Sequence, residues 1–333
     1  MGSRAFWIRE MDMKTTCKIL GLFLALAVAF GESTAQSYPS KPIRFVTGNQ
    51  TGGGTDLLAR VISQKLSEQL GQQVIVENKP GADGIIAAEY VAKSAPDGYT
   101  LLVGTDGQMI LNPGLYARIP YDPLKDFVPV IQLSSNPVVF AVHPKFPATS
   151  IMDLIAMAKA RPGKLFYASG AASFRVTTEL FKIQAGVNIV HVPYKGGAPS
   201  VAAAVNGEVP LVVTATSSVL AQLKSGQLRA LAVTSLARTP LLPDVPTMDE
   251  SGLAKFEAVT MQGLFAPART PRAIIDKLYG ELSLVLKLND LKERFAVLGL
   301  DTGGLPSAEY AALLEANLGK WKQVLSDLNI RAE

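Results

Sequence analysis

The 333-residue chain carries 32 Lys and Arg against 28 Asp and Glu, a net charge of +4, with two histidines and one cysteine. The charges are scattered, with no basic block and no interleaving of basic and aromatic residues, which excludes a nucleic-acid surface. Cys17 lies near the start, so everything after it lacks disulfides and thiolate chemistry.

Arg4, Arg9, Lys14 and Lys18 precede the apolar run Ile19–Phe30, which is too short to span a bilayer comfortably. Ser33-Thr34-Ala35 then offers a small-x-small cleavage site, so residues 1–35 read as a signal peptide cut near Ala35/Gln36 and the mature protein as exported to the periplasm. An uncleaved anchor is the other reading. No later apolar run approaches ~20 residues, so a soluble mature protein is expected, and its length suits two lobes.

Strands and helices alternate from there. Ile43–Val46, a helix over about 55–70, Val74–Glu77, a helix over about 84–94 and Leu101–Gly104 read as parallel βαβ units. Past Asp106 a proline-rich stretch leads to two apolar runs, Val130–Leu133 and Val138–Val142. A second set follows: helix about 150–161, Leu165–Ala168, helix about 173–185, Ile189–Val192, helix about 197–206, Pro210–Thr214, helix about 217–225 and Ala230–Thr234. Phe265–Pro267 and helices over about 271–287 and 306–326 close the chain. The pattern predicts a two-lobed α/β clamshell, each lobe a mixed or parallel sheet flanked by helices, with strand C-termini facing the cleft. Lobe 1 comprises 36–135 plus 262–333 and lobe 2 comprises 136–261, joined by connections near 105–140 and 255–265.

The stretch IRFVTGNQTGGGTDLLAR (43–60) reads as strand, glycine-rich turn and helix. Thr55 or Asp56 stands where an N-cap belongs. Free amides and the positive helix end make this an anion site by geometry, or else a plain connection. The spacing matches neither a P-loop nor GxGxxG, so amides rather than a lysine would hold the anion, which suits a carboxylate.

GGGTDLLAR (52–60), VENKPGADGIIAAEYVAKSAPDGYTLLVG (76–104), NPGLY with PYDPLKDFVPV (112–130), HVPYKGGAPS (191–200) and GQLRALAVTS with LLPDVPTMDESG (226–252) together resemble the Bug-type solute-binding receptors of tripartite tricarboxylate transporters, the TctC family. The resemblance covers the whole mature chain. It implies a periplasmic two-lobed receptor for a small organic carboxylate, without catalysis, that serves membrane permease subunits, and a monomer needing no cofactor or metal.

In that family the loop corresponding to Gly48–Asp56 holds a ligand carboxylate. The resemblance therefore marks Gly52, Gly53, Thr55 and Asp56, with Asn49 and Thr51 beside them, as candidate ligand contacts. Asn49 stands where relatives carry an aromatic residue, and Asp56 is either a contact or a helix cap. Thr105 and Asp106, at a strand end, line the cleft or cap the next turn. Ala172 and Ser173 offer amides at a helix start. Arg175 stands where relatives have histidine and either clamps a carboxylate or pairs with Glu179 at i, i+4 spacing. Tyr194 and Gly196, in HVPYKGG, are a ring and an amide for the ligand, while Lys195 reads as a surface charge and His191 as structural. Thr214 replaces a family aspartate and, with Thr216 and Ser217, supplies hydroxyls. Arg175 and the lost aspartate tilt the ligand toward a dicarboxylate, with an aromatic carboxylate as the other class.

No His/Asp/Glu cluster has metal-ligand spacing and no serine sits in GxSxG, so nothing supports an enzyme beyond a carboxylate-only mechanism. A sensor that presents its ligand to a signalling partner is the remaining alternative.

Overall fold

In the computed structural model residues 38–327 and Arg331 are described; the signal peptide expected over 1–35 lies outside them. One compact unit runs from Lys41 to Glu333. Its first strand, β1 (Ile43–Thr47), leads into helix α1 (Gly54–Leu70). Leu58, Ala59, Ile62 and Leu66 are fully buried, the stripe expected of a helix lying on a sheet. The helix stops at Gly71, whose φ of 63° places it in the left-handed region and whose N–H reaches Ser67 O at 3.0 Å. Next come β2 (Val74–Asn78), helix α2 (Ile85–Ala92) and β3 (Thr100–Thr105). Strand β1 pairs in parallel with both β2 and β3.

The segment after Asp106 is more ordered than its prolines suggest. Gly107–Leu111 forms a π-helical turn, and Asn112–Leu115 forms a short helix, α3. Pro113 is tolerated there because first-turn N–H groups have no helical partner.

The two apolar runs expected at Val130–Leu133 and Val138–Val142 belong to one strand, β4 (Phe127–Val142). Its prolines obscured this. Pro129 sits at a bulge, and Pro137 is the last residue paired with β9 (Val259–Pro267). From Val138 onward the partners are β7 (Leu211–Ala215) and β8 (Arg229–Val233). A residue without an N–H thus stands where β4 changes neighbours. Strand β9 starts six residues before the expected Phe265, because Thr260, Gln262 and Gly263 dilute its apolar signal.

The second set of units follows its expected order. Helix α4 (Ile151–Ala160) starts with a capping box between Ser150 and Asp153. Then come β5 (Phe166–Ser169), α5 (Ala172–Ala185), β6 (Val190–Pro193), α6 (Gly197–Val205) and, after β7, α7 (Thr216–Lys224). The chain closes with α8 (Arg272–Val285), α9 (Asn289–Val297), the two-residue strand β10 (Asp301–Thr302) and α10 (Ser307–Asp327). Helix α9 escaped the sequence reading because only Leu291 and Phe295, one turn apart, are buried on it.

The strand order is β2-β1-β3-β9-β4-β7-β5-β6, with β8 and β10 also on β4. Parallel strands lie at both ends, and the antiparallel pair β4/β9 crosses between them. Every parallel strand therefore ends where a loop turns into a helix start, which sets the position of the site.

Candidate functional site

Loops from the C-terminal ends of β1, β3, β5 and β7 converge on a cavity of about 660 Å³. The β1–α1 turn contributes Gly48, Asn49, Gln50, Gly54 and Thr55, and the β5–α5 turn contributes Gly170 to Phe174. Thus the starts of two long helices line one space, with first-turn amides at Gly54, Thr55, Ala172 and Ser173. The crossing strands supply Asn136, Thr260 and Gln262. Among the described residues the only titratable side chains in the lining are Asp83 and Asp106, and no lysine, arginine or histidine is among them. The lining thus offers an anion only backbone and neutral donors.

The β1–α1 loop is built differently from the expectation. Asp56 neither caps α1 nor faces the cavity. The cap position is Gly53, and Asp56 is 0 % exposed. Its carboxylate accepts from Gly52 N–H at 2.8 Å, Arg60 Nε at 2.9 Å and Asn78 Nδ2 at 2.8 Å. Burial pushes its pKa up, but the bonds from Arg60, Gly52 and Asn78 prevail and hold it below the usual carboxylate range. Asp56 therefore folds the loop. Its bond consumes the Gly52 amide, and the Gly53 amide goes to Gln50 O at 3.0 Å, so neither is left for a ligand. Thr51 is exposed, with its hydroxyl 3.4 Å from Asn78 Oδ1, and stands outside the cavity lining. Asn49 and Thr55 line the cavity.

Thr105 and Asp106 also line it. Thr105 N–H donates to Gln108 Oε1 at 3.0 Å, and Gln108 Nε2 donates to Gly84 O at 2.8 Å. Burial is the main reason that the Asp106 carboxyl is pushed up to about 7, against the lowering influence of the Gly107 and Met261 amides. Gln108 thereby ties the β3 loop to the turn 81–84, which the sequence reading quoted but did not place in the site. Ala82 and Asp83 both have positive φ in that turn, at 47° and 50°. Such conformations cost on the order of 1–3 kcal/mol each and persist only where the surroundings hold them. Here Asn112 Nδ2 donates to Asp83 O at 3.2 Å and Tyr116 Oη donates to Asp83 Oδ2 at 2.8 Å.

Arg175 does not pair with Glu179. Glu179 is bridged by Lys182 at 2.8 Å, and among the described residues no ion pair or side-chain hydrogen bond engages Arg175. With Tyr194, Arg175 lines an adjoining cavity of about 270 Å³ that shares Gly170, Ala171, Ala172, Asp83 and Leu115 with the first. His191 lines it too, held by Ser169 Oγ at 2.8 Å and packed on Tyr167 with ring centroids 5.0 Å apart. Gly196 lines neither space, but its φ of 106° lets the β6–α6 loop pass against Gly170. Thr214 is fully buried and outside both linings, so it cannot supply the hydroxyl expected of it, and its Oγ1 has no partner. Thr216 is likewise buried and donates to Pro137 O at 2.9 Å; Ser217 alone of these hydroxyls reaches the main cavity.

Beside the turn 81–84, the polar lining residues Asn136, Thr260 and Gln262 also went unread. The signal was there, as polar side chains inside otherwise apolar strands, yet their joint position depends on β4/β9 pairing. Ser134 Oγ donates to Gln262 Oε1, and Thr260 Oγ1 donates to Asn136 O at 3.2 Å.

The chain matches the model of the tripartite tricarboxylate transporter family receptor over residues 58–330. It is 37% identical to the protein BugT of Bordetella pertussis, over 87% of this chain and 90% of that one. It also resembles the solved structure of Rpa4515 of R. palustris with adipate (TM-score 0.76, 36% identity, 87% of this chain and 97% of that one). MatC of Rhodopseudomonas palustris, with bound malate, is 30% identical at a TM-score of 0.73 and covers 86% of this chain with all of its own length. The fold is thus that of the two-lobed α/β periplasmic binding proteins. No helix among the described residues is long and apolar enough to cross a membrane.

Proposed function

Because the chain belongs to the tripartite tricarboxylate transporter receptor family, we propose that it captures one small organic carboxylate between its lobes in the periplasm and delivers it to the permease subunits of a transporter of that type. The observation that carries this reading is the main cavity, where two helix starts meet and no cationic side chain is present. Amides fixed in the fold donate without reorganising, and both helix dipoles favour negative charge. The adipate and malate held by the two structures above support the same ligand class. The site is asked to recognise and release rather than to break bonds, so the protein acts as a receptor and not as an enzyme.

Binding is expected to raise the melting temperature in a carboxylate screen, since ligand at 100 times Kd adds about 2.7 kcal/mol. Gly54→Val supplies the residue-level arm. A Cβ at Gly54 would meet nothing within 4 Å, so the helix tolerates it while the valine occupies the anion's approach. The variant should keep wild-type stability and lose at least about tenfold in affinity, roughly 1.4 kcal/mol. Wild-type affinity would reduce the loop to a connection. Gly53 is the poorer choice, because its Cβ would press on Gln50 O at 3.0 Å.

We further propose that lobe 1 (36–135 with 262–333) and lobe 2 (136–261) close on the ligand about the crossing strands, with the leader removed near Ala35. The exchange of partners along β4 at Pro137 supports this division. Closure requires tighter binding to the closed form, so saturating carboxylate should shrink the radius of gyration in solution scattering. An unchanged radius would count against closure.

A further inference from the structure

Among the described residues no positive side chain lines the main cavity, so a second carboxylate of a ligand finds no ion pair there. The adjoining cavity differs in sign. It holds the guanidinium of Arg175, and Arg331 lines it as well, with Nη1 donating to Gly114 O at 3.3 Å. Asp83, the carboxylate in its lining among the described residues, already accepts the Tyr116 hydroxyl. Its histidine adds little charge at neutral pH. Burial first, and then the neighbouring Arg175, hold His191 below its ordinary value. Arg175 is the fourth residue of α5, one turn beyond the Ala172 and Ser173 amides that face the main cavity. The two spaces adjoin, sharing Gly170–Ala172, Asp83 and Leu115 as lining.

A half-buried arginine without a side-chain partner among the described residues, in a cavity that adjoins an amide-lined space, is a ready bidentate donor to a carboxylate. We propose that Arg175 receives the second carboxylate of the ligand, so that this receptor selects linear α,ω-dicarboxylates over monocarboxylates of the same length. This rests on the carboxylate-receptor reading and narrows it. One carboxylate lies at the two helix starts, the other lies beside Arg175, and the methylene chain passes along the shared lining at Gly170. Tyr194 and Tyr116 flank the distal group. Compact acids, which cannot reach both spaces, lose the arginine contact.

Titration calorimetry with full-length mature protein tests this, using the dicarboxylates from butanedioate to octanedioate and the matching monocarboxylates. Wild type should prefer the longer dicarboxylates over their monocarboxylate partners by at least about tenfold. Arg175→Gln should weaken dicarboxylates by about ten- to a hundredfold, the range for a charge-assisted bond, and leave monocarboxylates within about threefold. Arg175→Lys, which keeps the charge but not the fork, should recover part of the loss. Because nothing in the fold depends on the guanidinium, the melting temperature of unliganded Arg175→Gln should stay at the wild-type value. Equal losses for both ligand series, or no loss in either, would overturn the proposal while leaving the receptor reading intact. Failure of every carboxylate to bind wild type would instead overturn the receptor reading, and this proposal with it.

Discussion

Gly170→Ala is expected to weaken carboxylate binding by at least about tenfold and to destabilise the protein by about 1–3 kcal/mol, the usual cost of overpacking. A Cβ at Gly170 would lie 2.0 Å from Gly196 O and 2.1 Å from Gly196 C, which are backbone atoms and cannot rotate away. The β5–α5 and β6–α6 loops must therefore separate. Gly170 lines both cavities, so their separation displaces the Ala171 to Ser173 amides and the lining shared with the Arg175 cavity together. Denaturant unfolding and calorimetry measure the two effects separately. If Gly170→Ala matched wild type in both, the close approach of the two loops would not govern the site.

Asp106→Asn should make the protein more stable at neutral and alkaline pH, with little change near pH 4. The sign follows from the carboxyl being pushed up to about 7 in the fold from an ordinary value of 3.8. Between those values the native state keeps a proton that the unfolded chain has released. Stability is therefore fully present below about pH 4 and falls as pH rises through about 7. At about 1.4 kcal/mol for each tenfold change in proton affinity, the cost above that window is bounded at roughly 4 kcal/mol. The asparagine removes this dependence. Binding should follow the same sign, because Asp106 lines the main cavity with Asp83, and the nearby Tyr310 stays neutral. A charged Asp106 repels a carboxylate ligand, so wild-type affinity should fall above about pH 7, by up to about tenfold per pH unit, while Asp106→Asn stays flat. Parallel stability curves for the two proteins from about pH 5 to about pH 8 would show that Asp106 is charged throughout.

The strand–turn–helix at Ile43–Leu70 was legible because its signals are local. A β-branched run, a glycine turn and apolar positions at helical spacing each act within a few residues, and the same holds for β5, α5 and the capping box at Ser150. Strand β4 was only half legible, since Pro137 interrupts the pattern where the strand exchanges β9 for β7 and β8. For Asp56, the sequence by itself determined a carboxylate in the first turn of α1. Only the tertiary structure brought Asn78 from β2 beneath it, turning a candidate ligand contact into the brace that takes up the Gly52 amide. For Glu179, Arg175 at i, i+4 and Lys182 at i, i+3 were equally placed by helix geometry. Tertiary structure gave Glu179 to Lys182 and left Arg175 beside a cavity walled by His191 and Tyr194, residues from another strand and loop. Helix spacing limits which partners a charge can reach, but which one it takes depends on what the rest of the chain brings alongside.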